Sequence, residues 1–393
     1  MTGRPFRVVV APDSFGGALD SVAAADAIAN GWLRARPHDR VHRAPMADGG
    51  EGTLAAVAAA VGERAVRRSV SVHDALQRPL QADWLLLDDG RTAFVEMAAA
   101  SGLAQLAIEE RTPASARLAS TRGAGELLQA TLDAGVRSLI LGLGGSATTD
   151  GGAGILEALG VRLLDTSGEE LGPGGAALAG LARIDASGID PRLATVDIVL
   201  ASDVTNPLTG PFGAAATYGP QKGADAATVA ELDAALSVYA AAIQAATGRA
   251  VAKRPGAGAA GGMGAGLLGF TSAALRPGFD VVAEMVGLSA AIDASDLVIT
   301  GEGRADEQTL AGKAAMGVAL LAGRRGTPVV LLCGTLGPGA EALDASGLFR
   351  LIQPVADRPM SLAEAMADTE RLLTNAGERL ARGVGIGLTL GEA

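Results

Sequence analysis

The chain has 393 residues, 49% of them hydrophobic but only 3% aromatic, which is long and apolar enough for two domains whose cores are filled by aliphatic side chains and alanine. Its 55 glycines are about 14% of the chain against an average of about 7%, yet glycine and proline together stay near 18%, below the roughly 25–30% of low-complexity chains. A net charge of −11 disfavours nucleic acid and anionic membranes as partners.

Taken in chain order, the opening MTGRPFRVVVAPD holds an apolar run too short for a signal peptide, and no 18 apolar residues run together anywhere. A cytoplasmic protein is expected. Phe6–Val10 reads as a strand, Ser21–Arg34 as a helix, and the arginines of 34–43 and 64–68 as solvated faces. His38 and His42 flank a proline-bounded turn without a third ligand nearby, so zinc is not expected. A helix follows at Gly52–Val61, and closely spaced β runs from Val66 to Met97 predict antiparallel or mixed pairing and the entry to a second domain. Beyond Ala93–Met97, strands are expected at Ser138–Leu141, Asp197–Leu200, Leu297–Thr300 and Val329–Leu332. They alternate with helices at Gly123–Ala134, Ala226–Ala246 and Lys313–Arg324, which is the α/β pattern. Cys333 lies in the apolar run PVVLLCG and reads as a buried structural thiol. The glycine-punctuated tail from Gly383 is expected to fray.

Open α/β sheets bind ligands at the carboxyl ends of their strands. Glycines gather in five such places: 48–52, 142–154, 219–223, 256–266 and 301–317, each beside acids, hydroxyls or a lysine. Residues 142–152, GLGGSATTDGG, follow a strand and precede a helical stretch, an arrangement that offers backbone N–H groups and a helix dipole to phosphate. Gly144, Gly145, Ser146, Thr148, Thr149 and Asp150 belong to this candidate phosphate loop. A Walker A loop fails because Glu307 and Ala314 flank Gly312-Lys313 where glycine and Ser or Thr are required. The GxGxxG match at 256–261 follows AKRP rather than a strand, and Thr148 replaces the last glycine of a GxSxG elbow. Dinucleotide binding and serine hydrolysis are therefore disfavoured.

The chain has only three lysines, and Lys222 and Lys313 both sit in glycine loops, where an ammonium could meet a phosphate oxygen. Carboxylates near phosphate call for a cation between them. Glu302 with Asp306, and Asp203 with Asn206, therefore suit a magnesium–nucleotide site. Asp13 with Ser14, and Asp48 with Glu51, form two further clusters, and one of these carboxylates could accept a proton from a substrate hydroxyl. Helix capping is the competing role for Asp13, Ser14 and Asp48.

These stretches, APDSF (11–15), PMADGGEGT (45–53), LGGSATTDGGAG (143–154), SDVTNPL (202–208), YGPQKGA (218–224), GAGAAGGMGAG (256–266) and DLVITGEGRADEQTLAGK (296–313), together resemble the bacterial glycerate kinases that lack a P-loop, the glycerate 2-kinase type, over nearly the whole length. The resemblance implies ATP- and Mg²⁺-dependent phosphorylation of D-glycerate, usually to 2-phosphoglycerate. It implies a flavodoxin-like parallel domain from 1–66 and 285–393, an inserted mixed α/β domain over 67–284, a site in the cleft between them, and admits a homodimer. Residues and resemblance together assign Asp48, Glu51, Asp203 and Lys222 to catalysis. Gly144, Gly145, Ser146, Thr148, Asp150, Lys222 and Lys313 are assigned to ATP, and Asp13, Ser14, Asp48, Glu51, Asn206 and Gln308 to the substrate. Asp203, Glu302 and Asp306 are assigned to magnesium. Family members commonly read DSFKGSLS where this chain has Gly16 for the lysine and Ala18 for the serine; a lost charge-assisted contact there would cost about 1.5–3 kcal/mol. A non-catalytic binding or sensory protein on the same fold, or a kinase for another small hydroxy acid, is the alternative.

Overall fold

Short aliphatic runs bounded by glycine or acidic residues form the strands of the computed structural model, which describes residues 4–87, 89–310 and 314–391. The chain divides into two compact units, one of Met1–Asp48, Ala55–Gly62 and Phe279–Ala393, the other of Gly49–Leu54 and Glu63–Gly278. The edges at 62/63 and 278/279 compare with 66/67 and 284/285 from the sequence.

In the first unit five strands pair side by side in the order Leu351–Pro354, Val329–Leu336, Leu297–Ala305, Arg7–Pro12, Arg40–Arg43, all parallel. Counted along this unit, the order is 2-1-3-4-5, the doubly wound flavodoxin-like arrangement. Val8, Val10, Ile299, Val330 and Leu332 bury one face against helices carrying Ile28, Trp32, Leu372 and Leu373. Asp20, rather than Asp13 or Ser14, caps the helix Ser21–Ala35 by accepting the Ala23 N–H at 2.8 Å.

Two expectations are corrected. The strand expected to stop at Thr300 runs on to Ala305, so Glu302 stands on a paired strand opposite Cys333 rather than in a loop. The tail after Gly383 continues the helix Thr369–Gly391, anchored upstream by buried Leu372, Leu373, Ala376 and Ala381; glycine lowers helix propensity by only about 1 kcal/mol and does not end it. Arg40–Arg43 is an edge strand on which Arg40 is exposed, in keeping with a solvated face, and charge there is an ordinary defence against further pairing.

The second unit holds a six-stranded mixed sheet. Ala274–Arg276, Asp197–Ala201, Ser138–Gly142 and Thr92–Glu96 are parallel, while Pro79–Leu87 and Ala65–His73 are antiparallel, as the β runs before Met97 predict. Leu127, Leu139, Leu141, Ile155, Leu200 and Met263 fill its core. The helix Ala226–Thr247 is the one described helix long and apolar enough to cross a membrane. Its Leu232, Leu236, Tyr239 and Ile243 are buried in a second apolar cluster.

Helices Ser21–Ala35 and Thr369–Gly391 cross without room for side chains. A methyl on Gly31 would lie 1.9 Å from the Thr374 carbonyl oxygen. Gly31→Ala should therefore cost about 1–3 kcal/mol, as overpacking does, despite alanine's better helix propensity. Urea denaturation measures it; unchanged stability would show that the crossing yields freely.

Candidate active site

The parallel strands Thr92–Glu96, Ser138–Gly142 and Asp197–Ala201 deliver their carboxyl ends to one edge of the second unit's sheet. There the loop after Gly142 crosses the segment Gly49–Gly50 in direct main-chain contact. A Cβ on Gly144 would sit 2.2 Å from Gly50 Cα, and the Gly144 N–H donates to Gly49 O at 3.3 Å. On the loop's other flank a Cβ on Gly261 would lie 1.8 Å from Thr148 O, while the Gly151 N–H donates to Gly261 O at 3.0 Å. Here Ala260 is left-handed at φ +53°, a conformation rare for a residue with a side chain. Four of the five glycine clusters thus meet around one cavity of about 450 Å³, bordered by Glu51, Gly144, Gly145, Ser146, Lys222 and Arg111. A smaller cavity of about 280 Å³ shares Glu51 and Ala104 with it.

Lys222 ends the short turn Pro220–Lys222 and is only 2% exposed. Its Nζ donates to Ser146 Oγ at 2.8 Å and to Thr148 O at 2.6 Å. Burial pushes its pKa down to about 7, against the opposing pull of Asp150. Ser146 therefore borders the cavity with its hydroxyl already oriented by the amine. Thr148 is different: its side chain is fully buried and Oγ1 has no hydrogen-bond partner.

Asp150 does not border the cavity. Its fully buried carboxylate accepts from Thr121 N and Oγ1, both at 2.8 Å, and from Gly152 N at 3.1 Å. It ties the loop to the start of the helix Ala153–Ala158, and burial raises its pKa. Asn206 likewise is spent internally: its Nδ2 donates to Phe212 O at 2.8 Å and its Oδ1 accepts from Tyr218 OH at 3.0 Å. Asp203 is exposed beyond the strand Asp197–Ala201 and accepts the Gly278 N–H at 2.8 Å.

The remaining expected residues belong to the first unit. Asp13 and Ser14 follow the strand Arg7–Pro12, and Asp13 N donates to Gly301 O at 2.8 Å beside the strand that carries Glu302. These two strands form the switch point of the doubly wound sheet, where such folds bind ligands. Thr309 Oγ1 donates to Glu302 Oε1 at 2.7 Å and accepts the Asp306 N–H at 3.1 Å, which holds the two acids together. Asp306 also accepts the Gln308 N–H at 2.9 Å and pairs with Arg304 at 3.0 Å. The buried Cys333 thiol opposite Glu302 is pushed up to about 12 by burial and by that carboxylate, so it is no nucleophile. Asp48 is exposed, Gly16 takes the left-handed conformation at φ +52°, and Lys313 lies outside the described residues. Among the described residues no three His, Cys, Asp or Glu side chains gather as a metal site.

The model of the glycerate kinase family matches residues 8–385. A glycerate kinase of Halalkalibacterium halodurans is 46% identical over 95% of this chain and 97% of its own. The glycerate 2-kinase of Escherichia coli is 46% identical over 80% and 81%. A Salmonella typhimurium LT2 crystal structure, provisionally assigned as glycerate kinase 2, superposes with a TM-score of 0.85 at 40% identity, covering 98% of this chain and all of that one. The chain belongs to the glycerate kinase family. It is an enzyme of that family, a phosphotransferase acting on an alcohol group.

Two charged residues of this family member escape the glycine-loop argument. Arg111, in EERTP, has no sequence signal at all. Glu96 has one, a carboxylate at the end of the apolar run TAFVE. Its side chain accepts the N–H groups of Gly52 and Leu54, holding the segment that bears Glu51. Burial, with Glu51's charge adding to it, raises its pKa to about 7 against those hydrogen bonds.

The folded state therefore holds a proton on Glu96 between pH 4.5 and 7 that the unfolded state has lost. The associated stability is complete below about pH 4.5 and disappears as pH rises through 7. Glu96→Gln should gain on the wild type in unfolding free energy across that window, by up to about 1.4 kcal/mol per pH unit. Urea titrations at several pH values measure the difference; a flat difference would mean that Glu96 titrates as an ordinary carboxyl.

Proposed function

We propose that this enzyme transfers the terminal phosphoryl group of ATP to the 2-hydroxyl of D-glycerate, giving 2-phosphoglycerate and ADP. The observation that carries the reading is Lys222, a buried amine fixed on Ser146 and Thr148 O in a cavity walled by Gly144 and Gly145. Catalysis of phosphoryl transfer is mainly positioning and charge stabilisation, and donors set in a pocket partly closed to water act strongly there. The substrate hydroxyl oxygen bonds to phosphorus as the bond to the ADP oxygen breaks, and the hydroxyl proton passes to a carboxylate. Glu51 is our candidate for that base, because it borders both cavities of the second unit. Lys222 and the Ser146 hydroxyl meet the phosphoryl oxygens, and a phosphate arriving there restores the proton affinity that burial takes from the amine.

Magnesium needs only one or two carboxylates besides phosphate oxygens and water, so the lack of a three-ligand cage among the described residues is compatible with it. Asp203, Glu302 and Asp306 supply hard oxygen donors of the required kind. When bound, the ion would neutralise phosphate charge. Asp13, Ser14, Asp48 and Gln308 remain candidates for the glycerate, and the same reading places the enzyme in the cytoplasm, where ATP is available.

A coupled assay for ADP release with D-glycerate, ATP and Mg²⁺ tests the reaction, and NMR of the product shows which oxygen carries the phosphate. Release is expected with phosphate on the 2-oxygen; no release, or a 3-phosphate, would overturn the corresponding part. Lys222→Met should raise the KM for ATP or lower kcat at least tenfold, about 1.4 kcal/mol. Unchanged kinetics would remove Lys222 from the site.

A further inference from the structure

Arg111 borders the 450 Å³ cavity together with Lys222, and main-chain contact holds the two side by side. A Cβ on Gly223, the residue after Lys222, would lie 2.2 Å from the Arg111 carbonyl carbon. The half-buried guanidinium is fixed by carbonyl oxygens. Nε donates to Leu106 O at 3.3 Å, and Nη2 donates to Leu103 O and Leu106 O, both at 3.1 Å. Nη1 makes no hydrogen bond to the described residues, and no described carboxylate lies within ion-pair distance of the group. Five other arginines of this chain, Arg36, Arg78, Arg117, Arg192 and Arg371, each close on an Asp or Glu instead, while Arg249 also donates to carbonyl oxygens.

A guanidinium held by carbonyl oxygens, with an open N–H and no counter-charge, on a residue that borders a cavity is arranged for an anion. We propose that Arg111 binds an anionic oxygen of a substrate in this cavity, beside Lys222. Arginine keeps its charge at any working pH, whereas burial pushes the Lys222 amine down, so Arg111 is the more durable cation of the pair. The chemistry is that of a phosphate or carboxylate oxygen. Its two sources, the ATP phosphates and the glycerate carboxylate, rest on the phosphoryl-transfer reading above.

Steady-state kinetics of Arg111→Met and Arg111→Lys, with unfolding midpoints, test the role. We expect Arg111→Met to raise one KM at least tenfold, and Arg111→Lys to raise the same KM by less. A rise in the KM for ATP identifies phosphate as the partner, and a rise in the KM for D-glycerate identifies carboxylate. Both KM values unchanged would overturn the proposal. Because Arg111→Met also releases the Leu103 and Leu106 carbonyls, Arg111→Lys decides if the methionine variant does not fold. A measurement independent of turnover separates this proposal from the proposed reaction: calorimetric titration of tripolyphosphate and of D-glycerate into wild type and Arg111→Lys. Weakening of one ligand at least threefold in the variant supports Arg111 even if no ADP is released. Equal affinities, or no binding of either ligand by the wild type, would overturn it.

Discussion

Main chain touches main chain where the cavity is built, and no side chain fits between. Gly142 and Gly144 lie against Gly49 and Gly50, and Gly261 lies against the carbonyl of Thr148. In each place even a methyl group would fall within 2.4 Å of a backbone atom. Such contacts bring backbone dipoles and a few polar side chains to one spot without filling it. They also account for why glycine, costly in chain entropy, is tolerated so often in a chain that must hold a fixed shape.

The same crossings allow charge to be buried. An ammonium taken out of water is costly unless it is hydrogen-bonded, and Lys222 meets that condition with Ser146 Oγ and Thr148 O while giving up proton affinity. Beneath the loop, Asp150 is satisfied by Thr121 and by N–H groups at the start of a short helix. One residue presents charge to the cavity and the other anchors the loop that carries it. Deep burial alone does not distinguish these roles; what each polar atom faces does.

The alternating α/β pattern was legible because aliphatic runs and alanine-rich segments have different periods, and most expected elements lie within a few residues of the observed ones. The failures share a cause. Ala305 ends a strand that the glycines of GEGRA were expected to break, because pairing with its neighbours outweighs local propensity, and the glycines after Gly383 sit inside a helix that is anchored by packing upstream of them. At the site, Gly144, Gly145, Ser146 and Lys222 could be picked out by residue type and context. Arg111 could not, since its position against Lys222 depends on a contact between residues far apart in the chain, and the hydrogen bonds that Asp150 makes to Thr121 could not be read from the motif either.

By itself the sequence determined the α/β class, the family and which loops carry glycines, acids and scarce lysines, since these follow from local composition and linear motifs. Only the tertiary structure decided the strand orders, the meeting of four glycine loops at one cavity, and the separation of Ser146 and Lys222, at its surface, from Asp150 and Asn206, spent within the fold. The physical reason is that motif matching registers which groups are present, while desolvation and hydrogen bonding, which settle what those groups can do, depend on neighbours brought together from distant parts of the chain.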